Sequence, residues 1–88
     1  MAKYRIFIKA SAAKEIENIR TQKDRRRIVK QIQSLADDPR PKGCEKLSGY
    51  DRYRVRQGNY RIVYSIEDYK LIVHIIKVGD RKNVYRNY

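Results

Sequence analysis

The sequence predicts an α+β domain in the order βααβββ, a mostly antiparallel sheet with a two-helix hairpin on one face. Three observations point there. Apolar and polar residues alternate with a period of two near the start and through much of the second half. Between these stretches, apolar residues recur at helical spacing. Gly58-Asn59 separates two alternating runs, which is the mark of a tight hairpin. The 88 residues suffice for one core, so residues 1–88 read as a single domain.

The first strand is read from Tyr4, Ile6 and Ile8 alternating with Arg5, Phe7 and Lys9. Ser11 offers a cap for a helix over 12–20, with Ala12, Ile16 and Ile19 inward. Thr21 caps a second helix, and Asp24 complements the dipole in its first turn. Its stripe is Ile28, Ile32 and Leu35, with Val29 and Ala36 beside them. Asp37-Asp38-Pro39 ends it, because proline disfavours helix at the preceding residue. Residues 37–49 hold Pro39, Pro41, Gly43 and Gly49 and read as a connecting loop. Three strands follow: 52–57, 60–66 after a type II′ turn, and 69–78 after Glu67-Asp68. The last is apolar on both faces over 71–76, as a central strand is, and Gly79 is expected to end it.

Charge is the first functional clue. Lys and Arg number 22 against 10 Asp and Glu, a net +12. The excess is spread over the chain: twelve basic and five acidic side chains in residues 1–44, ten and five in 45–88. A compact body so charged repels itself, which implies a polyanionic partner. The N-terminus is charged and alternating, unlike a secretion signal, and no apolar run nears the ~20 residues that span a bilayer. A cytoplasmic protein without a membrane partner is expected. One cysteine, Cys44, excludes an internal disulfide, and with one histidine it leaves too few soft ligands for zinc. No metal or cofactor is expected.

The hairpin turn sets a register in which Gln57 pairs with Tyr60, Arg56 with Arg61 and Arg54 with Val63. Arg52, Arg54, Arg56 and Arg61 then share one side with no acid among them. Tyr53, Val55, Tyr60, Ile62, Tyr64 and Ile66 take the other, under the helices. The arginines are either a solvated face or a phosphate site. Arginine without lysine favours phosphate, which its planar fork grips bidentately. Removing Arg61 from this set is expected to relieve repulsion and leave the fold intact. His74 falls on the Arg61 side if the turn after residue 67 holds an even number of residues. A lone histidine in an apolar strand is more often packed than catalytic. Cys44 has no nearby histidine to activate it and reads as incidental. Lys23-Asp24-Arg25-Arg26-Arg27 reads as a solvated helix start within reach of backbone phosphates.

Four segments together carry a resemblance: Lys46-Leu47-Ser48-Gly49, Tyr53-Arg54-Val55-Arg56, Asn59-Tyr60-Arg61-Ile62-Val63-Tyr64, and Ile76-Lys77-Val78-Gly79-Asp80-Arg81-Lys82-Asn83-Val84-Tyr85. Across nearly the whole chain the sequence resembles the RelE/ParE toxin superfamily of toxin–antitoxin systems. The resemblance implies a βααβββ microbial-RNase-like domain. Its RelE branch consists of mRNA interferases, ribosome-dependent endoribonucleases that cut mRNA in the decoding site. It implies catalytic roles for Arg61, Arg81 and Tyr85, and substrate binding by Arg54, Arg56, Arg52 and Lys82. The second-strand pair of the RelE branch is lysine in its best-known members and arginine here, so charge stabilisation rather than proton donation is implied at Arg54 and Arg56. The implied partners are the ribosome, mRNA and a RelB-like antitoxin in a hetero-oligomer. Two alternatives stand beside this: a ParE-type gyrase inhibitor without nuclease activity, and a non-catalytic basic RNA-binding module.

Overall fold

The computed structural model describes residues 3–47 and 51–80. Its elements are β1 (Arg5–Ile8), α1 (Ala10–Glu17), α2 (Gln22–Ser34), β2 (Glu45–Lys46), β3 (Tyr53–Gln57), β4 (Tyr60–Glu67) and β5 (Ile72–Asp80). The strands form one sheet in the order β1-β5-β4-β3-β2, parallel only between β1 and β5. The α+β class, the mostly antiparallel sheet and the helical pair on one face stand as the sequence predicts. Among the described residues no helix is long and apolar enough to cross a membrane.

Helix α1 begins two residues earlier than its sequence signals suggest, and Ser11 does not cap it. Lys9 closes β1 by donating its N–H to the Ile75 carbonyl at 3.0 Å, and its own carbonyl accepts from Ala13 at 2.9 Å. The chain therefore passes from strand to helix at Lys9. Thr21 does cap α2: its hydroxyl accepts the Asp24 N–H at 3.3 Å. The helix ends at Ser34, before Asp37-Asp38-Pro39. A tightened turn follows, in which Leu35 and Ala36 donate to the Ile32 and Gln33 carbonyls, both at 3.1 Å.

The core lies between the helices and one face of the sheet. Ala12, Ile16, Ile19, Ile28, Ile32 and Leu35 meet Val55, Ile62, Tyr64, Ile66, Val73, Ile75 and Val78. Burying each of the large aliphatic side chains contributes about 1.5–3 kcal/mol relative to exposure. Tyr53 and Tyr60 pack partly buried against this cluster, as the register requires. Val29 stays out of it, exposed on α2.

The hairpin register is as expected, with Gln57 opposite Tyr60 and Arg56 opposite Arg61. Gly58 has φ of +61°, and Asn59 is not among the residues of positive φ, which matches a type II′ turn. The next turn is longer than Glu67-Asp68. Glu67 pairs with Ile72, leaving four residues between, so Tyr69 is fully exposed in the turn rather than in the strand. Leu71 takes a left-handed φ of 55° there.

Residues 37–49 are not all loop. Glu45 and Lys46 pair with Arg54 and Tyr53 as β2. The segment before β2 is tied down from two directions. Buried Tyr64 donates its hydroxyl to the Pro39 carbonyl at 2.7 Å, and burial pushes that phenol well above its ordinary pKa. Arg40 forms a bidentate pair with Asp68, at 2.9 and 3.2 Å, and its Nε donates to the Tyr53 hydroxyl. Tyr4 donates to the same carboxylate at 2.7 Å.

Two expected results follow. Tyr64→Phe keeps the ring but leaves the Pro39 carbonyl without this donor inside the core, a loss of about 1–3 kcal/mol. In a domain of this size that lowers Tm by roughly 4–24 °C, and an unchanged Tm by circular dichroism would remove the bond from the stability account. The second concerns acid. Hydrogen bonds from Arg40, then Tyr4, hold the Asp68 carboxyl below its ordinary range. A depressed pKa stabilises the fold above the unfolded-state value of about 4, and that contribution disappears as pH falls through the folded-state value. Tm of the parent should therefore drop more steeply than that of Asp68→Asn between pH 5 and pH 3. Parallel curves would show that the latch carries no pH dependence.

Candidate active site

The site lies on the face of the sheet away from the helices. Val55, Ile62 and Tyr64 point into the helical core, so Arg54, Arg56 and Arg61, alternating with them, point the other way. A cleft of about 280 Å³ opens there, lined by Lys42, Gly43, Glu45, Arg54, Val55, Arg56 and Arg61. Three of the arginines expected to act together do share it.

Arg61 is buried, 3% exposed, and is the charged residue so buried among those described. Its neighbours across the sheet are Arg56 on β3 and Gly79 on β5. A bulge produces the second pairing. Val63 pairs with Lys77 and Tyr64 with Ile75, so Ile76 is the extra residue. An unbroken ladder would place Val78 opposite Arg61. The shift places Gly79, which has no side chain, there instead. Gly79 therefore does not end the strand, which continues to Asp80. Of the two readings of the arginine set, the solvated face does not hold at Arg61. Alternation assigns its side of the sheet but not its depth. A guanidinium held at low effective dielectric attracts an anion more strongly than one in bulk water.

Arg54 differs from its sequence reading as well. It pairs with Glu45, its register partner on β2, so the arginine face does contain an acid. That pairing fixes the Arg54 side chain, 15% exposed, at the edge of the cleft. Arg56 is exposed at its rim. Arg52 precedes β3, where its carbonyl accepts from Leu47 at 2.8 Å, and it does not line the cleft. Arg81, Lys82 and Tyr85 lie outside the described residues, as does the Ser48-Gly49 part of the motif.

His74 falls on the Arg61 side opposite Ser65, since the turn does hold an even number of residues. It is not in the cleft. Its Nε2 lies 2.8 Å from Glu67, and its ring meets Phe7 edge-on, so it packs as a lone strand histidine ordinarily does. Lys77 on the same side is engaged by Glu15, which also accepts the Val78 N–H at 3.0 Å where β1 no longer covers β5. Cys44 is half-buried near Tyr64. Sequence reasoning missed Lys42 and Glu45. The only signal was Pro41 and Gly43, which mark a turn without showing that it folds back over β3.

Comparison with known proteins identifies the family and the fold. A family model described as the ParE toxin of the type II toxin–antitoxin system, parDE, matches residues 6–85. Comparison with curated proteins gives no match. Among solved structures, the chain is similar to the archaeal RelE–RelB complex from Pyrococcus horikoshii OT3. The identity is 28%, the TM-score 0.81, and coverage is 92% of this chain and 98% of that one. It is similar to the isolated E. coli RelE toxin at 30% identity and TM-score 0.76, covering 94% and 92% of the two chains. The RelBE2 toxin–antitoxin complex of Mycobacterium tuberculosis shares the fold at 21% identity and TM-score 0.81, covering 94% and 97%.

Proposed function

The chain belongs to the ParE toxin family of type II toxin–antitoxin systems, within the RelE/ParE superfamily, and from that premise we propose that it is a ribosome-dependent endoribonuclease of the RelE kind. The observation that carries this reading is the buried Arg61 at the floor of a cleft rimmed by Arg56 and Arg54. A gyrase-directed protein needs a surface for another protein. A sunken guanidinium flanked by further guanidinium groups suits a phosphodiester instead.

The reaction this supports needs no protein nucleophile. The RNA 2′-hydroxyl attacks the adjacent phosphorus, the 2′-oxygen–phosphorus bond forms and the bond to the 5′-oxygen breaks. The products are a 2′,3′-cyclic phosphate and a 5′-hydroxyl. Arg61, with Arg81, holds the non-bridging oxygens as charge builds on them. Tyr85, as its phenolate, takes the proton of the 2′-hydroxyl, the role that the family resemblance gives it. Arg54, Arg56, Arg52 and Lys82 hold flanking phosphates. Arginine does not release a proton at neutral pH, so the leaving 5′-oxygen is protonated by another donor. Lys42 is the ammonium group lining the described cleft. The ribosome supplies the mRNA geometry. A RelB-like antitoxin, the kind of partner present in the similar complexes, neutralises the toxin in a hetero-oligomer and answers its +12 charge.

One observation favours a second reading, inhibition of gyrase: the matching family model is that of the ParE toxin. Primer extension on mRNA from translating ribosomes, run beside a gyrase supercoiling assay, separates the two. Breaks inside codons with unchanged supercoiling are expected. Intact mRNA with impaired supercoiling would replace the nuclease by the gyrase reading.

A further inference from the structure

We propose that the outer face of α2 is a second phosphate-binding surface, by which the protein docks structured RNA on the side of the sheet opposite the cleft. The inference rests on the reading of the chain as a toxin that acts on the ribosome. Lys23, Arg26, Arg27 and Lys30 stand at i, i+3, i+4 and i+7, which places them inside an arc of roughly 100° along about 10 Å of helix. All four are exposed, on the opposite side of the helix from buried Ile28, Ile32 and Leu35. Among the described residues none of the four has an ion-pair partner, whereas Arg40, Arg54 and Lys77 each do. Four like charges at this spacing weaken an isolated helix. Arg25, which points elsewhere, donates to the Ile19 carbonyl instead.

The surface around the stripe is grooved. One concavity of about 240 Å³ is lined by Arg27, Lys30, Gln31, Ser34 and Gln57. A second, of about 530 Å³, shares Lys30 and is also lined by Lys3 and Asp37, which pair with each other at 3.6 Å. Lys30 thus stands between two hollows that a backbone can follow. The chemistry favours a polyphosphate over an acidic peptide. Peptide recognition relies on apolar anchors in pockets, and Val29 is the one large exposed hydrophobic residue of α2. Phosphate binding needs only the charges and the release of counterions.

The cleft and the α2 face lie on opposite sides of a body measuring 35 × 28 × 25 Å. One flat nucleic-acid surface cannot meet both. The arrangement fits a protein seated between two RNA segments, one presenting the strand to be cut and the other gripped from behind.

The test is equilibrium binding of purified 70S ribosomes, programmed with a defined mRNA, to the whole chain at a series of salt concentrations from 50 to 200 mM. The variant carries Lys23→Gln, Arg26→Gln, Arg27→Gln and Lys30→Gln, since glutamine keeps helix propensity and removes charge. Each lost phosphate contact flattens the logarithmic salt dependence by about 0.7–0.9, so the slope should become shallower by about 3. Should the fourfold variant fold poorly, Arg27→Gln with Lys30→Gln should give half that change. An unchanged slope and affinity in a folded variant overturns the proposal. So does a loss confined to binding of poly-glutamate, with ribosome binding intact, which would assign the face to an acidic peptide. Binding is read without cleavage. A parent that binds ribosomes through α2 but cuts nothing would remove the nuclease reading and leave this one standing.

Discussion

Arg61→Lys should cost at least ~100-fold in ribosome-dependent mRNA cleavage while the protein still folds. Lysine keeps the positive charge and much of the stem at a position that is 3% exposed. It loses the planar fork that grips two phosphate oxygens at once. Removing one preorganised contact to a developing oxyanion typically costs ~100–1,000-fold, or about 2.7–4 kcal/mol of barrier. Alanine is the poorer test. The sequence alone suggested that deleting Arg61 merely relieves repulsion, but its burial means that alanine also opens a cavity. Single-turnover cleavage on programmed ribosomes, beside a melting curve, gives both readings. A folded Arg61→Lys protein that cuts at the parental rate would take Arg61 out of the reaction.

Tyr85→Phe should lower cleavage by ~100-fold or more and leave ribosome binding unchanged. The basis is chemical: a positioned group that moves a proton in the transition state contributes roughly 100- to 10,000-fold. Tyr85 lies outside the described residues, so the expectation stands on the sequence resemblance and on the cations placed around the cleft. Phenylalanine keeps the ring, which separates a chemical role from a packing role. A host expressing this variant without antitoxin should survive. Parental cleavage by Tyr85→Phe would show that the hydroxyl does no chemistry.

What the sequence reveals follows from how local each feature is. The β3–β4 register is legible because a two-residue turn with Gly58 at positive φ admits one pairing. The Thr21 cap and the Ile28, Ile32, Leu35 stripe are legible for the same reason: the signal and the structure lie within one or two turns of helix. Strand β2 is not legible, since two residues cannot show alternation and their pairing is decided by β3. The latch from Arg40 to Asp68 spans 28 positions, and no spacing rule connects them. At the site, the side of the sheet on which Arg54, Arg56 and Arg61 lie is visible from alternation alone. The depth of Arg61 is not, because alternation carries no information on burial, and neither does it show the bulge at Ile76 that brings Gly79 opposite Arg61. Gly79 looked like a terminator for the same reason. A glycine inside a strand often marks a bulge or a close approach instead of an end.

The most direct test of the account is end-group analysis of a defined mRNA incubated with the purified chain, once free and once on programmed ribosomes. The account predicts cuts in the decoding site only on the ribosome, with 2′,3′-cyclic phosphate and 5′-hydroxyl ends. Equal cutting of free and ribosome-bound mRNA, or no cutting on the ribosome by a folded protein, would contradict it.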